Sequence, residues 1–112
     1  MTHADHARAP RFVDADLSHA TFSNTLMTQA QLRDTDLRHS WFRDINADGL
    51  KIENASLSGC NLQNVDLSQA AFDDVNLCGL TITNANIDSM TIEGVKVSEL
   101  LDLWREANDK TD

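Results

Sequence analysis

Residues 55–87 read ASLSGCNLQNVDLSQAAFDDVNLCGLTITNANI. The stretch is polar, yet a large apolar residue returns at every fifth position: Leu57, Leu62, Leu67, Phe72, Leu77, Ile82, Ile87. A helix repeats every 3.6 residues and a strand every two, so neither alone gives this spacing. Stepping by five in both directions from Leu57 extends the register from Phe12 to Val97 without an insertion. Of these 18 centres only Ala47 is not Leu, Ile, Phe, Met or Val, and all four Phe of the chain lie among them. Such regular placement argues against disorder, despite the abundance of Asn, Asp, Ser and Thr.

A second register runs two residues earlier and is mostly small, for example Ala15, Ala20, Ala30, Ala55, Cys60, Ala70 and Ala85. Residues two apart point to the same side of an extended chain, so each unit offers one large and one small inward side chain. The other positions are polar, and turn formers recur at Asp34, Asp44, Gly49, Asn54, Gly59, Asn64, Asp74, Gly79 and Asn84. These residues tolerate a left-handed backbone or bond to their own main chain. A chain that runs briefly, turns and runs again coils into an all-β solenoid, each coil burying its inward residues against the next.

Ala15-Asp16-Leu17, Thr35-Asp36-Leu37, Val65-Asp66-Leu67, Val75-Asn76-Leu77 and Ala85-Asn86-Ile87 carry a resemblance to the pentapeptide-repeat proteins, whose unit is often written A(D/N)LXX. The resemblance covers about residues 10–99. It implies a right-handed quadrilateral β-helix with four repeats per coil, hence about four and a half coils and a rod roughly 20 Å tall at the ~4.8 Å strand spacing. Residues 20 apart should then stack. Leu17, Leu37, Leu57, Leu77 and Val97 make one ladder; Phe12, Leu32, Ile52, Phe72 and Ile92 make a second. Phe22, Phe42, Leu62 and Ile82 make a third, and Met27, Ala47, Leu67 and Ile87 a fourth. Around the small centre Ala47 the second register is large, with Ile45 and Leu50, which reads as compensation of volume.

The division expected is a frayed N-terminus over 1–9, a β-helix over 10–98 entered at Pro10, and a short C-terminal α-helix with its tail over 99–112. From Ser98 the sequence reads SELLDLWREAND, with Ser98 as N-cap and Leu100, Leu103, Trp104 and Ala107 at helical spacing. The favoured role is a cap lying across the last coil, which leaves a monomer. A dimer through this helix, as the resemblance implies for some members, is the alternative.

The 112 residues carry a net charge of −9, which opposes direct binding to nucleic acid or anionic membranes and permits a basic partner. Two cysteines without a CxxC spacing suit a reducing compartment, and MTHADHARAPRF has no apolar core of a signal peptide. The reading is a cytoplasmic protein without a membrane segment. Nucleotide-binding, metalloprotease and nucleophile-elbow motifs are missing, and a rod packed with Leu and Phe leaves little room for a pocket. The expectation is a protein that is not an enzyme and takes no cofactor or metal. His19 and His39 should stack, but two exposed ligands without a third make a poor metal site. Cys60 falls in the inward register and Cys78 outside it.

Two surface features remain as candidate partner-binding sites. Trp41 occupies an outward position, and Arg33, Arg38 and Arg43 form a basic belt around the same coil. Trp with Arg is the composition of interaction hot spots. Asp14, Asp34, Asp73 and Asp74, with Glu53 and Glu93, gather along one side, and Asp16 and Asp36 begin the next. The expected function is interaction with a protein partner of unknown identity. The alternative follows from the resemblance, since some quinolone-resistance members are acidic DNA mimics that bind DNA gyrase. Arg11, Arg33 and Lys51 interrupt the acidic stripe here.

Overall fold

The computed structural model describes residues 10–108. Strands alternate between two sheets of parallel pairs, except that the tenth follows the ninth in the first sheet. One holds β1 (Arg11–Val13), β3 (Gln31–Arg33), β5 (Lys51–Ser56), β7 (Ala71–Asn76), β9 (Thr91–Ile92) and β10 (Val95–Lys96). The other holds β2 (Thr21–Ser23), β4 (Trp41–Asn46), β6 (Asn61–Asp66) and β8 (Thr81–Thr83). Every parallel pair is offset by 20 residues, as in Phe12↔Leu32↔Ile52↔Phe72↔Ile92 and Phe22↔Phe42↔Leu62↔Ile82. Isolated bridges Asp16↔Asp36↔Ser56 and Leu26↔Asn46 continue the pairing on the two remaining sides. The coil is thus the four-sided β-helix expected, stacked about four turns high. Its sides are called here the first (Phe12 column), second (Leu17), third (Phe22) and fourth (Met27) faces; first and third are opposite.

The corners explain the period of five. Every fifth residue from Asp14 to Ser89 has positive φ, for instance Asp34 at 56°, Asn54 at 49° and Gly59 at 72°. After the second and fourth faces the chain closes a β-turn through an i+3 hydrogen bond, as when Ala20 N–H donates to Leu17 O and Cys60 N–H to Leu57 O. Positive φ at the third residue of such a turn is the type II requirement, which Gly49, Gly59 and Gly79 meet freely, while Asn and Asp, which tolerate it, hold the corners after the first and third faces. One further device recurs on these faces. Asp16, Asp36, Asp66, Asn76 and Asn86 each accept, through a side-chain oxygen, the N–H of the residue two on. The Asp/Asn of the repeat therefore locks its own turn.

The large and small inward registers fill the interior together. Leu32, Leu37, Leu57, Leu67, Phe72, Ala30 and Ala47 are wholly buried, and Ile45 and Leu50 close around Ala47. Phe22 and Phe42 stack with centroids 4.7 Å apart, and Phe12 meets Phe22 edge-on at 6.4 Å. Each ladder step gives up apolar surface to its neighbours above and below, which is the main source of stability in a solenoid.

The C-terminal end departs from expectation. The regular coil stops at Ile92, because Glu93 and Gly94 are consecutive residues of positive φ and turn β10 back antiparallel on β9. Val95, expected inward, is therefore 44% exposed. The helix α1 (Val97–Asn108) starts two residues early, so Ser98 lies inside its first turn instead of capping it. Val97 N–H donates to Met90 O, which ties the helix start to the last coil. The helix does not lie across that coil. No residue of α1 is buried, and Leu100, Leu101, Leu103 and Trp104 all face solvent. The reversal at Glu93–Gly94 sets the direction in which the helix leaves. The expected fraying of 1–9 and the tail after 108 lie outside the described residues.

Candidate functional site

Since repeat positions fix the interior, surface chemistry is confined to the outward columns beside each ladder. On the third face the outward positions of β4 are Trp41 and Arg43, two residues apart and so on the same side of the strand. Trp41 is 43% exposed, and the Arg43 guanidinium lies 5.7 Å from the centroid of its ring. A shallow hollow lined by Thr21, Trp41 and Arg43 adjoins them. The neighbours above and below in the columns are short and neutral: Thr21, Asn61 and Thr81 flank Trp41, while Ser23, Gln63 and Thr83 flank Arg43. The ring thus stands proud of neighbours that are short and, apart from Arg43, uncharged.

The other two arginines of the belt do not join it. Arg38 is on the second face and is held by Asp36 through a two-pronged contact, Nε to Oδ1 at 2.9 Å and Nη2 to Oδ2 at 2.7 Å. This contact and the Arg38 N–H hold the Asp36 carboxyl below the usual range, and Asp36 raises Arg38 in turn. Both groups are open to solvent, which screens the pair. Their linkage to folding is present above the ordinary carboxylate range and is lost as pH falls through the lowered Asp36 value. Asp16 is lowered in the same direction by the hydroxyl and N–H of Ser18. Arg33 is on the first face, opposite Trp41, so no flat partner surface can touch both.

The acidic residues do form one side. Asp14, Asp34 and Asp74 occupy successive corners, with Asn54 between them donating to Asp34 at 2.6 Å. Glu53, Asp73 and Glu93 make the adjoining column of the first face, and Glu93 accepts the N–H of Asp74. Asp14, Asp16, Asp34, Asp36 and Arg38 line one broad, open depression between the first and second faces. What the repeat pattern did not reveal is that Asp16 and Asp36 are already engaged by their own turns; the signal was the recurrence of Asp or Asn before each centre.

His19 and His39 stack with centroids 5.2 Å apart and planes at 19°. Below them the column continues as Gly59 and Gly79. Among the described residues no group of three or more His, Cys, Asp or Glu converges as metal ligands, and no helix is long and apolar enough to cross a membrane. Cys60 is buried, its thiol 2.9 Å from Leu37 O and 3.0 Å from Ser40 Oγ, while Cys78 is exposed. Burial pushes the Cys60 thiol up, so it is held as an inert, protonated core residue.

No curated protein matches the sequence. Among solved structures, HetL, a pentapeptide repeat protein involved in heterocyst differentiation regulation from the cyanobacterium Nostoc sp. strain PCC 7120, is 25% identical with a TM-score of 0.33, over 75% of this chain and 47% of its own. A trypsin-treated variant of QnrB1, a plasmid-mediated fluoroquinolone resistance protein, is 16% identical with a TM-score of 0.29, over 75% of this chain and 51% of its own. Rfr23, a pentapeptide repeat protein from the cyanobacterium Cyanothece 51142, is 16% identical with a TM-score of 0.22, over 75% of this chain and 85% of its own. This chain therefore spans about half the length of HetL and of the QnrB1 variant. The pentapeptide-repeat profile matches residues 11–46 and 50–95 as eight copies. With a five-residue period, a 20-residue stacking register and this profile over most of its length, the chain belongs to the pentapeptide-repeat family.

Proposed function

We propose that this protein is a non-enzymatic interaction module that binds another protein through its third face. The observation that carries the reading is Trp41, a large ring left 43% exposed among short neutral column neighbours, with Arg43 against it. Trp and Arg dominate the energetics of protein interfaces, because a wide rigid ring loses little entropy on burial. Arg43 resting on Trp41 also presents the pair as one preformed knob. The test is affinity capture from native lysate with the wild-type chain and with Trp41→Ala. At least one captured protein should bind more weakly to the variant by roughly thirtyfold or more, since such truncations cost about 2 kcal/mol or more. Equal capture of every protein by both forms overturns the reading.

The acidic side supports a second reading, mimicry of DNA toward a topoisomerase. Its carboxylates repeat at the ~4.8 Å strand spacing, and duplex DNA is likewise a regular line of negative charge. Arg11, Arg33 and Lys51 on the same side, and the Asp36–Arg38 pair, weaken that line. A gyrase supercoiling assay, with and without quinolone, decides: unchanged supercoiling at micromolar protein removes the second reading.

The monomer expected from the sequence rested on the helix covering the last coil, whereas no residue of α1 is buried. With Leu100, Leu101, Leu103 and Trp104 exposed, a dimer through α1 is the better supported state.

A further inference from the structure

We propose that a groove on the first face, between β1, β3 and β5, is a binding site for a compact phosphate-type dianion. The site is separate from the Trp41 face, which lies on the opposite side of the rod. The groove has a volume of about 230 Å³ and is lined by Arg11, Val13, Gln31, Arg33, Lys51 and Glu53. Arg11, Gln31 and Lys51 are one outward column, and Val13, Arg33 and Glu53 are the next, all on three consecutive strands. Three cations and a side-chain amide thus gather on one patch of a chain whose net charge is −9.

Elsewhere the described arginines have partners. Arg38 is bound by Asp36 at 2.7 Å, Arg105 lies 3.6 Å from Asp102, and Arg43 rests on Trp41. Arg11, Arg33 and Lys51 form no ion pair among the described residues, although Glu53 stands beside Arg33 in the strand register. Three like charges within a few strand spacings repel one another, and an anion between them removes that cost. The guanidinium forks of Arg11 and Arg33 match phosphate oxygens in pairs, Lys51 adds a point charge, and the Gln31 amide can donate.

The surroundings fix the size of the ligand. Toward the C-terminal end the same face turns acidic, with Glu53, Asp73 and Glu93 in column, and Asp14, Asp34 and Asp74 run along its corner. An extended polyanion would have to lie along those carboxylates. A compact dianion can sit against the three cations without lying along Asp73 and Glu93 further down the face, with Glu53 in the groove and Asp14 and Asp34 at its edge opposing it. Glu53 is the one carboxylate in the groove, and it sets a ceiling on affinity.

The test is calorimetric titration of the full chain with inorganic phosphate, adenosine monophosphate, a phosphoserine peptide and a short DNA duplex. Saturable phosphate binding with a Kd on the order of 1 mM or tighter is expected. Arg33→Gln should weaken it about tenfold or more, and Arg38→Gln, on another face, should leave it unchanged. Glu53→Gln should tighten it, a gain that no loss of folding can imitate. Tighter binding of the nucleotide or of the peptide than of phosphate tells which source of the phosphoryl group the groove suits. The proposal is overturned if phosphate, nucleotide and phosphopeptide all fail to saturate, if Arg33→Gln and Glu53→Gln both leave binding unchanged, or if the duplex binds more tightly than every compact ligand.

Discussion

A Cβ placed on Gly59 would stand 2.6 Å from Nδ1 of His39, whose ring folds down over that corner, and Gly59 itself has φ of 72°. Gly79, one coil further on, has φ of 75° but would bring its Cβ no nearer than 3.5 Å to the backbone of Gly59. Both substitutions to Ala carry the left-handed cost of about 1–2 kcal/mol, and only Gly59→Ala adds the clash. Chemical denaturation should therefore find Gly59→Ala the more destabilising by about 1 kcal/mol, with the excess gone in a His39→Ala background. Equal losses at the two glycines would show that the His39 ring moves aside freely. Ala47 is a second case in which a neighbour dictates size. It is wholly buried, and Ile45 and Leu50 are buried beside it. Ala47→Leu alone should lower stability by about 1–3 kcal/mol through overpacking, measured by the same denaturation. An unchanged midpoint would mean that the core there holds spare space. The large residues of the second register at Ile45 and Leu50 made this site legible in sequence. The engagement of Asp36 was less so. Residues two apart on a strand share a side, which pairs it with Arg38, yet the repeat pattern alone leaves both free for a partner.

Among the elements, strands and corners were legible because one rule sets each of them. Every inward ladder has a 20-residue register, and every corner has positive φ at the fifth residue. The helix was legible in its pattern and not in its placement. Spacing locates Leu100, Leu103 and Trp104 on one stripe, while their docking depends on the Glu93–Gly94 reversal, whose geometry has no counterpart in the repeat. A lone 12-residue helix is marginal in water, and burial of its stripe would stabilise it. Light scattering coupled to size exclusion should give a dimer mass for the wild-type chain at about 100 μM and a monomer mass for Leu103→Ala/Trp104→Ala, because assembly follows mass action. A wild-type monomer at that concentration would rule out the helix as a self-association element.

For the whole molecule, the interior and the surface answer different questions. Leu57, Leu62 and Leu67 fill the interior of the rod, and they carry no information about a partner. What distinguishes this chain is how the four faces differ in charge: a third face with Trp41 and Arg43 among neutral residues, a first face basic toward its N-terminal end and acidic below, and an acidic edge from Asp14 to Asp74. The columns were legible once four repeats per coil were assumed. Which side chains on them are free was not, since this depends on contacts between neighbours such as Arg43 on Trp41. The proposed partner docks on the third face. The most direct measurement is site-specific photocrosslinking in cells, with a benzophenone side chain at Asn61 beside Trp41 or at Ala71 on the first face. A discrete protein adduct should form from position 61, disappear with Trp41→Ala, and be missing from position 71. Adducts of equal yield from both positions, or an adduct from 61 that survives Trp41→Ala, would contradict the claim.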